Sequence, residues 1–157
     1  MAAGSKDERT EVTERVRSLL ESQPLAVLSS SAQGHPYTNL VAFAATEDLR
    51  RVVFATMRAT RKYQNMHEDP RVSLLIDDRS NRVSDIRDAL AVTAQGRTVE
   101  AVGADREALE RLFLSKHPHL EGFVRSPGCA LMAVTVSTYY VVSRFQNVYE
   151  LHLGPEA

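Results

Sequence analysis

A chain of 157 residues with 43% hydrophobic and 25% charged side chains has the make-up of one folded domain, large enough to bury a core without metal or disulfide staples. Nineteen Lys and Arg against twenty Asp and Glu leave a formal charge of -1, so the chain lacks the basic field of a nucleic-acid or anionic-membrane binder. Cys129 is the only cysteine, which rules out an intrachain disulfide and makes a reducing cytoplasm the expected setting.

The opening "MAAGSKDERTEVTERV" carries charges where a signal peptide needs an apolar run. No later stretch approaches the ~18 apolar residues of a membrane span, so the chain reads as soluble and untargeted. From Thr10, "TEVTERVRSLLESQ" spaces Val12, Val16, Leu19 and Leu20 at helical intervals, and Pro24 stops a helix of about 10–22. Strands follow at "LAVLSS" (25–30) and "TNLVAFAA" (38–45), joined by the turn "SAQGHPY" with Gly34 and Pro36. After the turn "TEDLR" comes the strand "RVVFAT" (51–56). The next stretch, "RATRKYQNMHEDP", predicts a short helix with Tyr63 and Met66 on one side and Pro70 as its stop.

"RVSLLID" (71–77) reads as a fourth strand and the polar "DRSNRVSDIRD" as a loop. "ALAVTAQGRTVEAV" (89–102) is a long β-rich run with Gly96 at a bend or bulge, a device small barrels use at their corners. "DREALERLFLSKHP" (105–118) places Leu109, Leu112 and Phe113 on one helical face, with Asp105 as the cap and Pro118 at the end. The loop "HLEGFVRSPGC" then leads to "ALMAVTVSTYYVVSRFQNVYELHL" (130–153), whose Val, Thr and Tyr content suits two closing strands. Six or seven strands with few helices predict a small, mostly antiparallel barrel. With no solenoid repeat, low-complexity tract or flexible linker, residues 1–157 are expected to form one domain.

The seven glycines never form GxGxxG or GxxxxGK[ST], and HExxH, GxSxG and CxxC are absent, so dinucleotide-binding, P-loop, zincin and hydrolase readings lack support. Of five histidines only His117 and His119 lie close, in "KHPHL", without carboxylate or thiol partners. They read as surface or capping residues rather than metal ligands.

An adjacent Arg61 and Lys62 are ordinarily two solvated charges on a helix's first turn. Here they follow a strand end, open a helix and adjoin Thr60, so amides, a hydroxyl, a guanidinium and an ammonium converge as they would on a phosphate. The helix dipole prefers acids at this terminus, so paired cations make local sense when an anion sits there.

The array "GHPYTNLVAFAA" followed by "VVFATMRATRKYQNMHEDPRVSLLI" closely resembles the pyridoxamine 5'-phosphate oxidase-like flavoproteins, over roughly residues 24–102. The resemblance implies a mostly β (α+β) fold, a six- to seven-stranded antiparallel split β-barrel with a few peripheral helices, binding FMN between two subunits of a homodimer. It carries the phosphate-binding pair onto Arg61 and Lys62, with Thr60 as the adjoining hydroxyl. The strand positions lining the flavin fall on Ala55 and Thr56. The strand running edgewise along the ring falls on residues 39–44, with Asn39, Leu40, Val41 and Ala42 as its cofactor-binding part.

The pattern also departs from the oxidase proper. Asn39 and Ala44 stand where the oxidase has basic residues, so one phosphate contact is lost or comes from Arg58. "VVSRFQNVYELHLGPEA" lacks the C-terminal Arg and His that hold the oxidase's substrate, so the resemblance implies FMN binding more strongly than vitamin B6 oxidation. "LFLSKHPHLEGFV" and "YYVVSRFQNV" also look like the haem-utilisation branch, for which His152 is the only axial-ligand candidate in the tail, although a single histidine at a strand end reads far more readily as an exposed, structurally neutral residue. Arg144, Phe145 and Gln146 are candidates for reaching across a dimer.

The expected function is an FMN-dependent oxidoreductase acting on a small molecule or electron donor, with no catalytic residue named. The alternative is a non-enzymatic flavin or haem binder. A deazaflavin coenzyme would suit the same cradle. Neither nucleic acid nor membrane is an expected partner.

Overall fold

Every second residue of β1 (Leu25–Ala32) turns inward, and Ala26, Leu28 and Ser30 are buried there. The same period-two burial recurs in β4 (Arg71–Asp77), where Val72, Leu74 and Ile76 face the core. These strands belong to a computed structural model that describes residues 5–144 and 147–154. The remaining strands are β2 (His35–Ala45), β3 (Arg51–Met57), β5 (Ala91–Glu100), β6 (Cys129–Ser143) and β7 (Asn147–His152). They pair antiparallel in the order β3-β2-β1-β4-β5-β6-β7, and β3 also pairs with β6. Six strands thus close into a barrel and β7 is added on the outside of β6, a mostly β fold with α+β character.

The helices are α1 (Lys6–Ser22), α2 (Arg61–Glu68), α3 (Asp85–Asp88), α4 (Gly103–Lys116) and α5 (Glu121–Val124), with a 3-10 turn at Pro118–Leu120. None is long and apolar enough to cross a membrane, among the described residues. Helix α1 starts earlier than the apolar spacing predicts, because Ser5 Oγ accepts from the Glu8 amide at 3.3 Å and Asp7 and Glu8 complement the helix N-terminus. Its Val12, Val16, Leu19 and Leu20 join the barrel interior with Phe43, Phe54 and Tyr139. Helix α4 lies outside, where Leu109 and Phe113 cover Ala44, Val53, Leu131 and Ala133.

Three sequence expectations are corrected. Helix α4 begins at Gly103 with Val102 in the capping position, and Asp105 instead pairs through both carboxylate oxygens with Arg51, at 2.9 and 2.7 Å. The segment 78–88, expected as loop, contains α3, held by the Asp85 carboxylate on the Ser80 and Arg82 amides. The segment 119–129 carries most of the 3-10 turn and α5.

The long strand β5 bends where sequence places Gly96. Its register against β6 shifts between Gln95 and Gly96, and a Cβ at Gly96 would stand 2.1 Å from the Thr135 carbonyl oxygen. Only glycine lets the two backbones approach this closely. Gly96→Ala is therefore expected to cost about 3 kcal/mol of unfolding free energy. In contrast, Gly122→Ala in α5, where an added Cβ meets nothing within 4 Å, is expected to stay within about 0.5 kcal/mol of the parent. Urea unfolding of both variants measures the difference.

Candidate functional site

Strands β2 and β3 pair over only three residue pairs, Phe43 with Phe54, Ala44 with Val53 and Ala45 with Val52. Continued, that register would set Ala42 against Ala55 and Val41 against Thr56. Instead β2 stays on β1, from Ala42 opposite Leu25 to His35 opposite Ala32. Strand β3 stays on β6, out to Met57 opposite Cys129. The two strands part and the sheet opens. Residues 39–42 form one lip of the split and Ala55 with Thr56 the other, so the structure brings together the two groups that sequence placed on separate strands.

Strand alternation decides what each lip offers. Val41 turns into the barrel with Phe43, whereas Leu40 turns outward and is 65% exposed. Ala42 and Ala55 lie on the outer face against the layer under α4. Two alanines at facing positions keep the split free of side-chain bulk. Asn39 faces inward beside the cross-strand partner Leu28. Its Nδ2 donates to the Leu40 carbonyl at 3.4 Å, but its Oδ1 is buried with no hydrogen-bond donor. A buried acceptor without a donor is uncommon in a folded protein and calls for a reason.

Helix α2 begins where β3 ends. Thr60 is its N-cap: Oγ1 accepts from the Tyr63 amide at 3.4 Å, donates to the Met57 carbonyl at 2.8 Å and lies 3.0 Å from Thr56 Oγ1. The hydroxyl expected in a phosphate cradle is thus engaged in holding the helix start. Arg61 and Lys62 follow, with no acidic residue in the first turn and, among the described residues, no carboxylate ion pair to either. The Arg61 guanidinium lies 5.7 Å from the Tyr37 ring centroid, and burial lowers the Lys62 ammonium from the ordinary lysine range. First-turn amides have no acceptor inside their own helix. Amides and two cations therefore share one terminus, against the preference of the helix dipole.

Arg58, the candidate for an additional phosphate contact, is turned elsewhere. Its Nε donates to Glu100 Oε1 at 2.9 Å, its Nη2 makes a close ion pair with the same oxygen, and its Nη1 reaches the Pro127 carbonyl at 3.2 Å. Tyr63 donates its hydroxyl to Glu100 Oε2 at 2.9 Å. Glu100 was not singled out by sequence, because it lies 37 and 42 residues from partners that only the closed barrel brings near.

The histidines divide. His117 sits at the C-cap of α4 but is 3% exposed rather than superficial, with Nε2 2.7 Å from the Phe43 carbonyl. Burial lowers its pKa, which favours the neutral ring that donates from Nε2 to that carbonyl. It thereby braces the last β2 residue before the split. His119 is exposed, and no cluster of metal-ligating side chains occurs among the described residues. His152 is exposed at the end of β7, with Nε2 3.1 Å from Glu150 Oε2 and Nδ1 3.1 Å from Thr138 Oγ1. Of the residues expected to reach across a dimer, Arg144 lies in the turn after β6, and Phe145 and Gln146 lie outside the described residues.

A concavity of about 780 Å³ lies elsewhere, across β1, β4, β5 and β6 near Ser29, Ser73, Arg97 and Thr135. Its lining includes none of the residues that sequence proposed for cofactor binding. The split suits a ligand with a flat polar body and an anionic end: hydrogen-bonding strand edges, one orphan acceptor and two unopposed cations.

The family model for pyridoxamine 5'-phosphate oxidase matches residues 12–143. No curated protein matches the chain. A heme binding protein from Mycobacterium smegmatis has a similar structure, with a TM-score of 0.79 at 16% identity, over 97% of this chain and 60% of that one. General Stress Protein 26 from Bacillus anthracis gives a TM-score of 0.68 at 17% identity, over 91% and 99%. A FAD-binding protein from Mesorhizobium loti gives 0.64 at 17% identity, over 81% and 89%. The chain thus spans 60% of the length of the heme binding protein, and identities this low establish a shared fold alone.

Asn39 provides a test that needs no ligand. Removing a buried, unsatisfied acceptor removes its desolvation cost, so Asn39→Leu is expected to raise unfolding free energy by about 1 kcal/mol in the ligand-free protein. Urea denaturation decides it; a loss of stability would mean that Oδ1 already has a partner.

Proposed function

The chain belongs to the pyridoxamine 5'-phosphate oxidase family, and from that premise we propose that it binds FMN in the β2/β3 split and works as an FMN-dependent oxidoreductase on a small organic molecule. The observation that carries this reading is the unopposed pair Arg61 and Lys62 at the start of α2, directly beyond the lip formed by Ala55 and Thr56. Such a pair fits a phosphate, and the open lips fit the planar ring attached to it.

In this reading Lys62, Arg61 and their amides hold the phosphate, oriented by the Thr60 cap. Backbone groups of residues 39–42 and of Ala55 and Thr56 hydrogen-bond the ring edge, and Asn39 Oδ1 takes a donor from the ligand. Bound FMN supplies a ring that accepts and returns a hydride or single electrons. The lips carry no histidine or carboxylate, so the chain contributes binding, orientation and exclusion of water rather than an acid or base.

A second copy of the chain is proposed to close the open side of the split, where exposed Leu40 offers it an apolar contact. Cys129, buried and unpaired, suits the cytoplasm as the setting. The FAD-binding relative supports a flavin reading, and a deazaflavin coenzyme would present a phosphate to the same cradle. Non-enzymatic haem binding is the second reading, favoured by the fold shared with the heme binding protein. It requires His152 to give up a contact with Glu150 or Thr138.

Flavin fluorescence titration separates the phosphate from the ring. Arg61→Ala combined with Lys62→Ala is expected to weaken FMN binding about a hundredfold, or about 3 kcal/mol, while riboflavin affinity changes less than about threefold. Equal losses for both ligands, or none, would contradict the phosphate assignment.

A further inference from the structure

Arg61 and Lys62 have a role in the flavin reading, but Glu100, Arg58 and Tyr63 do not. Glu100 is the last residue of β5, and its side chain is 24% exposed. Its Oε1 accepts from Arg58 Nε at 2.9 Å and also binds Nη2; its Oε2 accepts from the Tyr63 hydroxyl at 2.9 Å. Burial pushes the Glu100 carboxyl up, and the hydrogen bonds from Arg58 and Tyr63 outweigh that effect and hold it below the ordinary range. Arg58 belongs to the turn between β3 and α2, where its amide donates to the Gly128 carbonyl at 3.0 Å and its Nη1 to the Pro127 carbonyl at 3.2 Å. Tyr63 is the third residue of α2, next to Lys62, with its amide on Thr60 Oγ1.

One carboxylate therefore fastens both the turn that leads into α2 and the first turn of α2 to the end of β5. Arg58 is neutralised by this contact, which leaves Arg61 and Lys62 as the first-turn cations with no carboxylate partner among the described residues. A shift of that turn would move two amides and two side chains together, whereas the split between β2 and β3 is set by other strands.

We propose that Glu100 is a positioning residue which, through Tyr63 and Arg58, fixes the first turn of α2 and so gives the site its preference for a phosphate-bearing ligand over the same ligand without phosphate. The proposal rests on the flavin reading above. A structural role alone would move both ligands together, because a loosened barrel weakens ring and phosphate contacts alike.

The test is a pair of titrations, FMN and riboflavin, on the full chain and on Tyr63→Phe and Glu100→Ala, with thermal melts alongside. Tyr63→Phe removes one oxygen and leaves the Arg58 and Glu100 pair in place, so it carries the test if Glu100→Ala does not fold. Tyr63→Phe is expected to weaken FMN about fivefold and Glu100→Ala at least about tenfold, on the scale of lost hydrogen bonds to a charged group, with riboflavin unchanged within about twofold. An unchanged ratio of FMN to riboflavin affinity in the folded variants overturns the proposal and leaves the flavin reading standing. Tighter FMN binding by Glu100→Ala also overturns it, since Glu100 would then be withholding Arg58 from the phosphate. A parent protein that binds neither ligand removes the flavin reading, and this inference falls with it.

Discussion

Everything proposed for this chain depends on where β2 and β3 stop pairing. Phe43 and Phe54 are both fully buried and form the last pair before the split. His117 holds the Phe43 carbonyl from α4, so the zipper is anchored at that point. Beyond it each strand has a better partner: β2 has its long ladder with β1, and β3 has its ladder with β6. A barrel that closes through β3 and β6 pulls these partners apart, and the split follows from closure. The proposed site needs no insertion or lid, because two strand edges inside a folded sheet are left without each other as partners.

At the end of that split, local preferences give way. A helix start with two cations and no acid opposes its own dipole, and Asn39 holds a buried acceptor without a donor. Most of the chain obeys such rules: α1 has Ser5 as its cap and acids in its first turn, and α2 itself is capped by Thr60. Exceptions concentrated at one place are what a binding site produces, since its groups are set for a complex rather than for the free protein. The network around Glu100 shows the complementary behaviour. It satisfies three side chains at once and ties the turn that carries Arg61 and Lys62 to the end of β5.

Much of the fold was legible in the sequence because its signals are local. Alternating burial marks β1 and β4, Pro24 and Pro70 mark where α1 and α2 have ended, and Gly96 marks the bulge. Arg61 and Lys62 were legible for the same reason, being neighbours at a strand-to-helix junction. Boundaries slipped where a side chain or a turn outweighed periodicity: Ser5 extended α1, and Asp105 left the cap of α4 for Arg51. Long-range partners were not legible. The burial of His117 depends on the carbonyl of Phe43, 74 residues away, and the engagement of Arg58 depends on Glu100. Topology supplies both, and no spacing within either segment announces them.

The most direct measurement is a crystal structure of the protein grown with FMN. The split reading expects the phosphate within hydrogen-bond distance of Lys62 Nζ and of the first amides of α2, the ring edge along residues 39–42, and a donor of the ligand on Asn39 Oδ1. FMN bound instead in the arginine- and serine-lined groove across β1, β4, β5 and β6, or a β2/β3 split that stays empty at saturating FMN, would contradict it.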